Sequence, residues 1–101
     1  MRRDTVLETA KAAIRSEIGA LENLLQAIDE NFVEVVDLVN CSLGRVVVTG
    51  VGKSGHIGKK IAATLSSTGT ASIFIHPTEA AHGDMGLINK KDIILLIDKY
   101  L

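Results

Sequence analysis

Residues 46–60, VVVTGVGKSGHIGKK, run from an unbroken apolar segment through four glycines into a basic segment. The run Arg45–Thr49 is β-branched with no polar alternation, which is what a strand covered on both faces requires. Gly50, Gly52 and Gly55 then form G-x-G-x-x-G at the strand's end. That spacing lets a backbone turn tightly and offer its N–H groups to an anion at the start of the next helix. Ile57, Ile61 and Leu65, with Ala62 and Ala63 between them, predict that helix, which ends at Gly69. Ser72–Ile75 reads as a second strand and Ile93–Ile97, preceded by Asp92, as a third. A right-handed crossover between the first two strands makes the sheet parallel.

The composition agrees with this class. Hydrophobic residues make up 47% of the chain and aromatic ones 3%, so the core must be built from Val, Ile, Leu and Ala, as in helix-flanked parallel sheets. At 101 residues the chain is one domain at most. Before the glycine loop, Leu7, Ala10, Ile14, Ile18, Leu21, Leu25, Ile28, Phe32, Val35 and Val39 recur every three or four positions. This predicts either one long helix or two in near register, with Asp4 capping the start and a break around Asp29–Asn31. So long a stripe is expected to cover a partner subunit in part. Asn40–Gly44 reads as the stop, with Gly44 suited to a left-handed conformation.

A formal net charge of -1, with acids and bases interspersed, gives no field that would steer the chain to nucleic acid or an anionic membrane. Neither is expected as a partner. The single cysteine, Cys41, cannot form an internal disulfide, and no stretch of about 18 apolar residues is present. A cytoplasmic setting is expected.

Two nucleotide readings compete for the glycine loop. A Walker A loop needs a glycine five positions before Gly52-Lys53-Ser54, and Val47 stands there. A dinucleotide fold needs an acid at the end of the second strand, where the chain reads Phe74-Ile75-His76. The second reading is weakened without being excluded. Lys53 and Ser54 favour a smaller ligand, because a cation and a hydroxyl beside exposed amides hold a monophosphate directly. The plain alternative is a turn that merely joins strand to helix.

A second polar cluster, HPTEAAHGDMG at 76–86, follows the second strand on the carboxyl side of the sheet, where open α/β folds keep their ligands. It reads as a loop or short helix. His76, Glu79, His82 and Asp84 could supply an acid, a base or metal ligands, although no spacing here matches a zinc pattern. An ordinary polar loop with Pro77 fixing the strand exit is the alternative.

Together these stretches resemble the start of the sugar isomerase (SIS) domain of the arabinose-5-phosphate isomerase family. The resemblance rests on G-x-G-K-S-G-H-I-G and H-P-x-E-A-x-H-G-D-x-G and covers nearly the whole chain up to about Ile97. It implies a three-layer α/β/α fold with a five-stranded parallel sheet, and oligomers built through the N-terminal helices. It also implies interconversion of ribulose 5-phosphate and arabinose 5-phosphate through an enediol, on the way to the lipopolysaccharide sugar Kdo. No cofactor is expected.

Carried over by motif, Ser54 lies among the groups that receive the phosphate, with Gly52 and Gly55 shaping the loop, and Lys53 contacts substrate. His56, Glu79 and His82 line the same pocket, with His76 and Asp84 beside it, and Lys53, Glu79 and His82 are the catalytic candidates. Metal binding by His82 is a lesser implication.

After KKDIILLI the family continues into a serine-rich S-x-S-G loop, whereas this chain reads Asp98-Lys99-Tyr100-Leu101. The expectation is therefore a partial SIS domain, with a helical segment at 1–43 and a phosphosugar-binding half at 44–101, catalytically incomplete on its own. The alternatives are a non-catalytic phosphosugar-binding or assembly module and, less favoured, a dinucleotide-binding fragment.

Overall fold

The structure, a computed structural model, describes residues 2–81 and 84–99. Its elements run α1 (Arg3–Ala27), α2 (Glu30–Cys41), β1 (Val46–Gly50), α3 (Lys53–Ser67), β2 (Ser72–Phe74), α4 (Pro77–Ala81), a 3-10 turn at Asp84–Leu87, and β3 (Ile93–Ile97). They fall into two compact units that divide after Val36.

The apolar stripe forms two helices, α1 within the first unit and α2 running from the first unit into the second. The break falls at Ile28 and Asp29, where the Asn31 N–H donates to the Asp29 carboxylate at 3.0 Å and caps α2. Asp4 does not cap α1 as expected. The N-cap is Arg2, without a side-chain cap bond, and Asp4 lies in the first turn, where its charge suits the positive end of the helix. Helix α1 buries none of its residues, and Leu7, Ile14, Ile18, Leu21 and Leu25 are exposed. No helix among the described residues is long and apolar enough to cross a membrane.

The second unit is built on a parallel sheet of order β2-β1-β3. The central strand explains its own composition. Val46, Val47 and Val48 are 0 to 3% exposed, as a valine run enclosed on both faces must be. Val46 and Val48 cluster with Ala62 of α3, and Val39, Ile61, Leu65, Phe74, Leu95 and Ile97 pack around them. Gly58 lets α3 lie close to the sheet, since a Cβ there would meet the Phe74 ring at 3.0 Å and the Val48 side chain at 3.1 Å. Along β3 alternate residues face outward, leaving Ile94 and Leu96 56% and 51% exposed.

At the amino ends of β1 and β3 a polar clamp sets the register. The buried Asp92 carboxylate accepts the Arg45 N–H at 2.8 Å and the Asn89 N–H at 2.9 Å. The Arg45 guanidinium lies 3.4 Å from the same carboxylate and also donates to the Leu87 carbonyl. The two backbone donors, chiefly Asn89 and then Arg45, hold the Asp92 carboxyl below its ordinary value.

One further local expectation is corrected here. Gly44 is not left-handed; among the described residues only Gly52 and Gly69 have positive φ. A side chain at Gly44 would instead run into the Lys91 backbone, so packing rather than dihedral freedom asks for glycine there. Helix α3 begins at Lys53, ahead of the first periodic residue Ile57, because Gly52 at φ 60° turns the chain at once.

Candidate functional site

The chain leaves β1 through α3 to reach β2 on one side, then returns past β1 to lay β3 on the other. Strand order therefore reverses between β1 and β3, and the crevice outside the carboxyl ends of such strands is where open α/β sheets bind ligands. A cleft of about 550 Å³ occupies that place. Gly50, Val51, Gly52, Lys53 and Ser54 line it from β1 and the start of α3, and Leu96, Ile97, Asp98 and Lys99 from the end of β3.

Glycine is what allows these walls to meet. A Cβ on Gly50 would stand 3.0 Å from both the Ile97 carbonyl oxygen and the Ser54 carbonyl. A Cβ on the buried Gly55 would stand 2.8 Å from the Gly50 carbonyl oxygen. Gly52 meets no such crowding and is required instead by its backbone, at φ 60° and ψ -128°.

The first turn of α3 closes with the Gly55 N–H on the Val51 carbonyl at 3.4 Å and the His56 N–H on that of Gly52 at 3.2 Å. Among the described residues, the N–H groups of Gly52, Lys53 and Ser54 have no backbone acceptor. They are the donors any helix start leaves over, and they carry the positive end of the helix dipole. No acidic residue lies in this first turn to compete for them. Lys53 is exposed at the cleft and Ser54 is half-buried.

The other expected site residues are distributed differently. His56 is exposed on α3 and is not among the cleft-lining residues described. His76 follows β2 and caps α4, its Nδ1 accepting the Thr78 N–H at 3.1 Å and its carbonyl the Ala80 N–H at 3.0 Å. Glu79 is exposed in the first turn of α4. Neither lines the cleft, because β2 flanks β1 on the side away from β3. Asp84 opens the 3-10 turn, and His82 lies outside the described residues. Among the described residues no three His, Cys, Asp or Glu side chains are grouped to hold a metal ion.

Sequence reasoning missed Leu96, Ile97, Asp98 and Lys99 as the second wall. The available signal was the parallel pairing itself, since the strand that follows a switch point must end beside the glycine loop.

The SIS domain profile matches residues 38–100, which contain the whole sheet and the cleft. The chain belongs to the SIS domain family. Its relatives include the arabinose 5-phosphate isomerase KdsD of Pseudomonas aeruginosa, 53% identical over 91 residues, covering 90% of this chain and 28% of the relative. The Francisella tularensis KdsD is 49% identical over 94 residues, covering 90% and 29%. Among solved structures, an Escherichia coli CFT073 protein in complex with arabinose 5-phosphate superposes with a TM-score of 0.90 at 39% identity, covering 97% of this chain and 52% of that one. A candidate sugar-phosphate isomerase of Listeria monocytogenes also reaches 0.90, at 29% identity, covering 98% and 52%. The chain thus spans less than a third of the curated relatives' length and about half of the solved chains. The three-layer α/β reading, the parallel sheet and the family resemblance agree with these findings.

Proposed function

We propose that the cleft between β1 and β3 receives the phosphate of a pentose 5-phosphate, and that the chain serves the isomerisation of D-arabinose 5-phosphate and D-ribulose 5-phosphate. One observation carries this reading. The leftover amides of α3, the Lys53 cation and the Ser54 hydroxyl meet in one cleft at the sheet's switch point. A phosphate there accepts hydrogen bonds from the amides of Gly52, Lys53 and Ser54 and from the Ser54 hydroxyl, while Lys53 offsets its charge. Gly55 keeps the first turn close beneath it. The names of the relatives and the arabinose 5-phosphate bound in one neighbour support the choice of sugar phosphate.

Aldose–ketose isomerisation needs a base to take the proton beside the carbonyl and return it to the neighbouring carbon. It also needs a group that moves protons between the two oxygens, and a cation near the enediolate. Lys53 suits the last role. Glu79 and His82 are proposed for the proton transfers, with His56, His76 and Asp84 as pocket contacts and a metal role for His82 the lesser reading. The proposed setting is cytoplasmic synthesis of the lipopolysaccharide sugar Kdo, by a homo-oligomer assembled through the helical segment 1–43. Sedimentation checks the assembly, and a monodisperse monomer would remove that part.

A non-catalytic phosphosugar-binding module is the second reading, favoured by the placement of Glu79 away from the cleft. Assays with arabinose 5-phosphate at high protein concentration separate the two. Lys53→Ala should weaken binding about tenfold, the worth of one charge at a solvent-exposed site. Turnover that vanishes with it supports the isomerase, binding without turnover supports the module, and absence of binding by the original chain refutes both.

A further inference from the structure

The wall that β1 and the start of α3 give to the cleft holds one side chain to which the phosphate reading assigns no role. Val51 lines the cleft between Gly50 and Gly52 and is 65% exposed. Its glycine neighbours have no side chain, and Lys53 and Ser54 present a cation and a hydroxyl. Val51 is therefore the one wholly apolar side chain on this wall. Val46 and Val48, a few residues earlier, are buried in the core cluster, to which Val51 does not belong.

A valine at this place treats free and esterified phosphate differently. Free phosphate presents an oxygen in every direction, and an oxygen turned toward valine methyls loses water without gaining a hydrogen bond. A phosphate ester has one oxygen that carries carbon. With its other oxygens on the amides of Gly52, Lys53 and Ser54 and on the Ser54 hydroxyl, the ester turns that carbon to Val51, and apolar surface is covered on both sides. The character of the carbon then matters. In a primary ester it is a methylene, with only hydrogens to present. In a glycosyl 1-phosphate it also bears the ring oxygen, an acceptor that finds no donor on a valine.

Resting on the phosphate reading above, we propose that Val51 is a specificity-determining residue of the cleft. It receives the ester carbon and selects primary phosphate esters over both free phosphate and glycosyl 1-phosphates. Arabinose 5-phosphate and ribulose 5-phosphate end in the same methylene ester, so this contact serves the aldose and the ketose alike.

The test titrates the full chain, and its Val51→Ala, Val51→Thr and Lys53→Ala variants, with D-arabinose 5-phosphate, D-arabinose 1-phosphate and inorganic phosphate. Calorimetry at about pH 8 keeps the esters dianionic. The original chain should bind the 5-phosphate about fivefold more tightly than either of the others. Val51→Ala should weaken the 5-phosphate about fivefold and leave inorganic phosphate within about twofold. Val51→Thr keeps the β-branching and nearly the volume, so it should reproduce the loss through polarity alone. Lys53→Ala should weaken both ligands together and leave their ratio standing. That ratio is taken within one variant, so it does not depend on how much of the variant is folded. A ratio of 5-phosphate to inorganic phosphate affinity that stays within about twofold of the original in either valine variant overturns the proposal. So does an original chain that binds the 1-phosphate or inorganic phosphate as tightly as the 5-phosphate, although the phosphate reading then survives. An original chain that binds none of the three overturns both.

Discussion

The two polar stretches at 50–56 and 76–84 each follow a parallel strand at its carboxyl end, yet among the described residues only the first contributes to the cleft. The difference lies in the neighbours of the two strands. β1 is central and its end stands beside the end of β3, whereas β2 has β1 on one side and no described strand on the other. A rim position gives a residue access to solvent on the right face of the sheet. A crevice requires, in addition, two strand ends from which the chain departs in opposite directions. His76 illustrates the contrast, because its ring accepts a backbone N–H of α4 while Lys53 stands at the open cleft.

Three substitutions put that contrast under strain. The largest effect is expected from Gly50→Val. Its side chain would collide with the Ile97 and Ser54 carbonyls, cost about 1–3 kcal/mol in overpacking and push β3 away from the start of α3. Melting temperature and arabinose 5-phosphate affinity should fall together. Full affinity in a destabilised variant would show that the anion does not sit between β1 and β3.

Asp92→Asn probes the opposite end of the same two strands. The folded state holds the Asp92 carboxyl below its ordinary value of 3.8, so its stabilisation is complete above that pH and fades as pH falls through the lower folded value. The variant should melt earlier than the original at neutral pH, and the gap should close as the solution is acidified below about pH 4. Affinity per folded molecule should stay unchanged, since the clamp is a strand's length from the cleft. A constant gap from neutral to strongly acidic pH would contradict the assigned role of the carboxylate.

The smallest combined effect on stability and binding is expected from Glu79→Gln. Its affinity for arabinose 5-phosphate should remain within about twofold of the original, because a charge outside the cleft is screened by solvent. Turnover, if measured, should fall. A large loss of affinity would place α4 at the phosphate and erase the distinction between the two stretches.

Much of the sheet is legible in the chain because its residues leave few choices. An all-β-branched run such as Val46–Val48 has no polar face to expose, and Ile93–Ile97 is enclosed on the same principle along one face. Helix ends are less legible. Asp4 reads as a cap, but capping depends on whether the backbone before it is already extended, and that happens at Arg2. Gly44 reads as a left-handed stop, but its demand for glycine comes from Lys91, which is distant in sequence. The cleft's second wall is hidden for the same reason. Nothing within the local pattern of Asp98 and Lys99 relates them to Lys53, and only the order of strands in the sheet brings them together.

The register clamp also bears on the order in which the molecule comes apart. β1, α3 and β2 contact one another within a short span of chain, whereas β3 reaches β1 across a separation of 47 residues at the Arg45–Asp92 bond. Among the described strands, β3 is paired along one edge only. In native-state hydrogen exchange its amides should therefore open before those of β1, and do so without global unfolding. An anion that bridges α3 and the end of β3 would slow that opening, making occupancy of the cleft and closure of the sheet parts of one equilibrium.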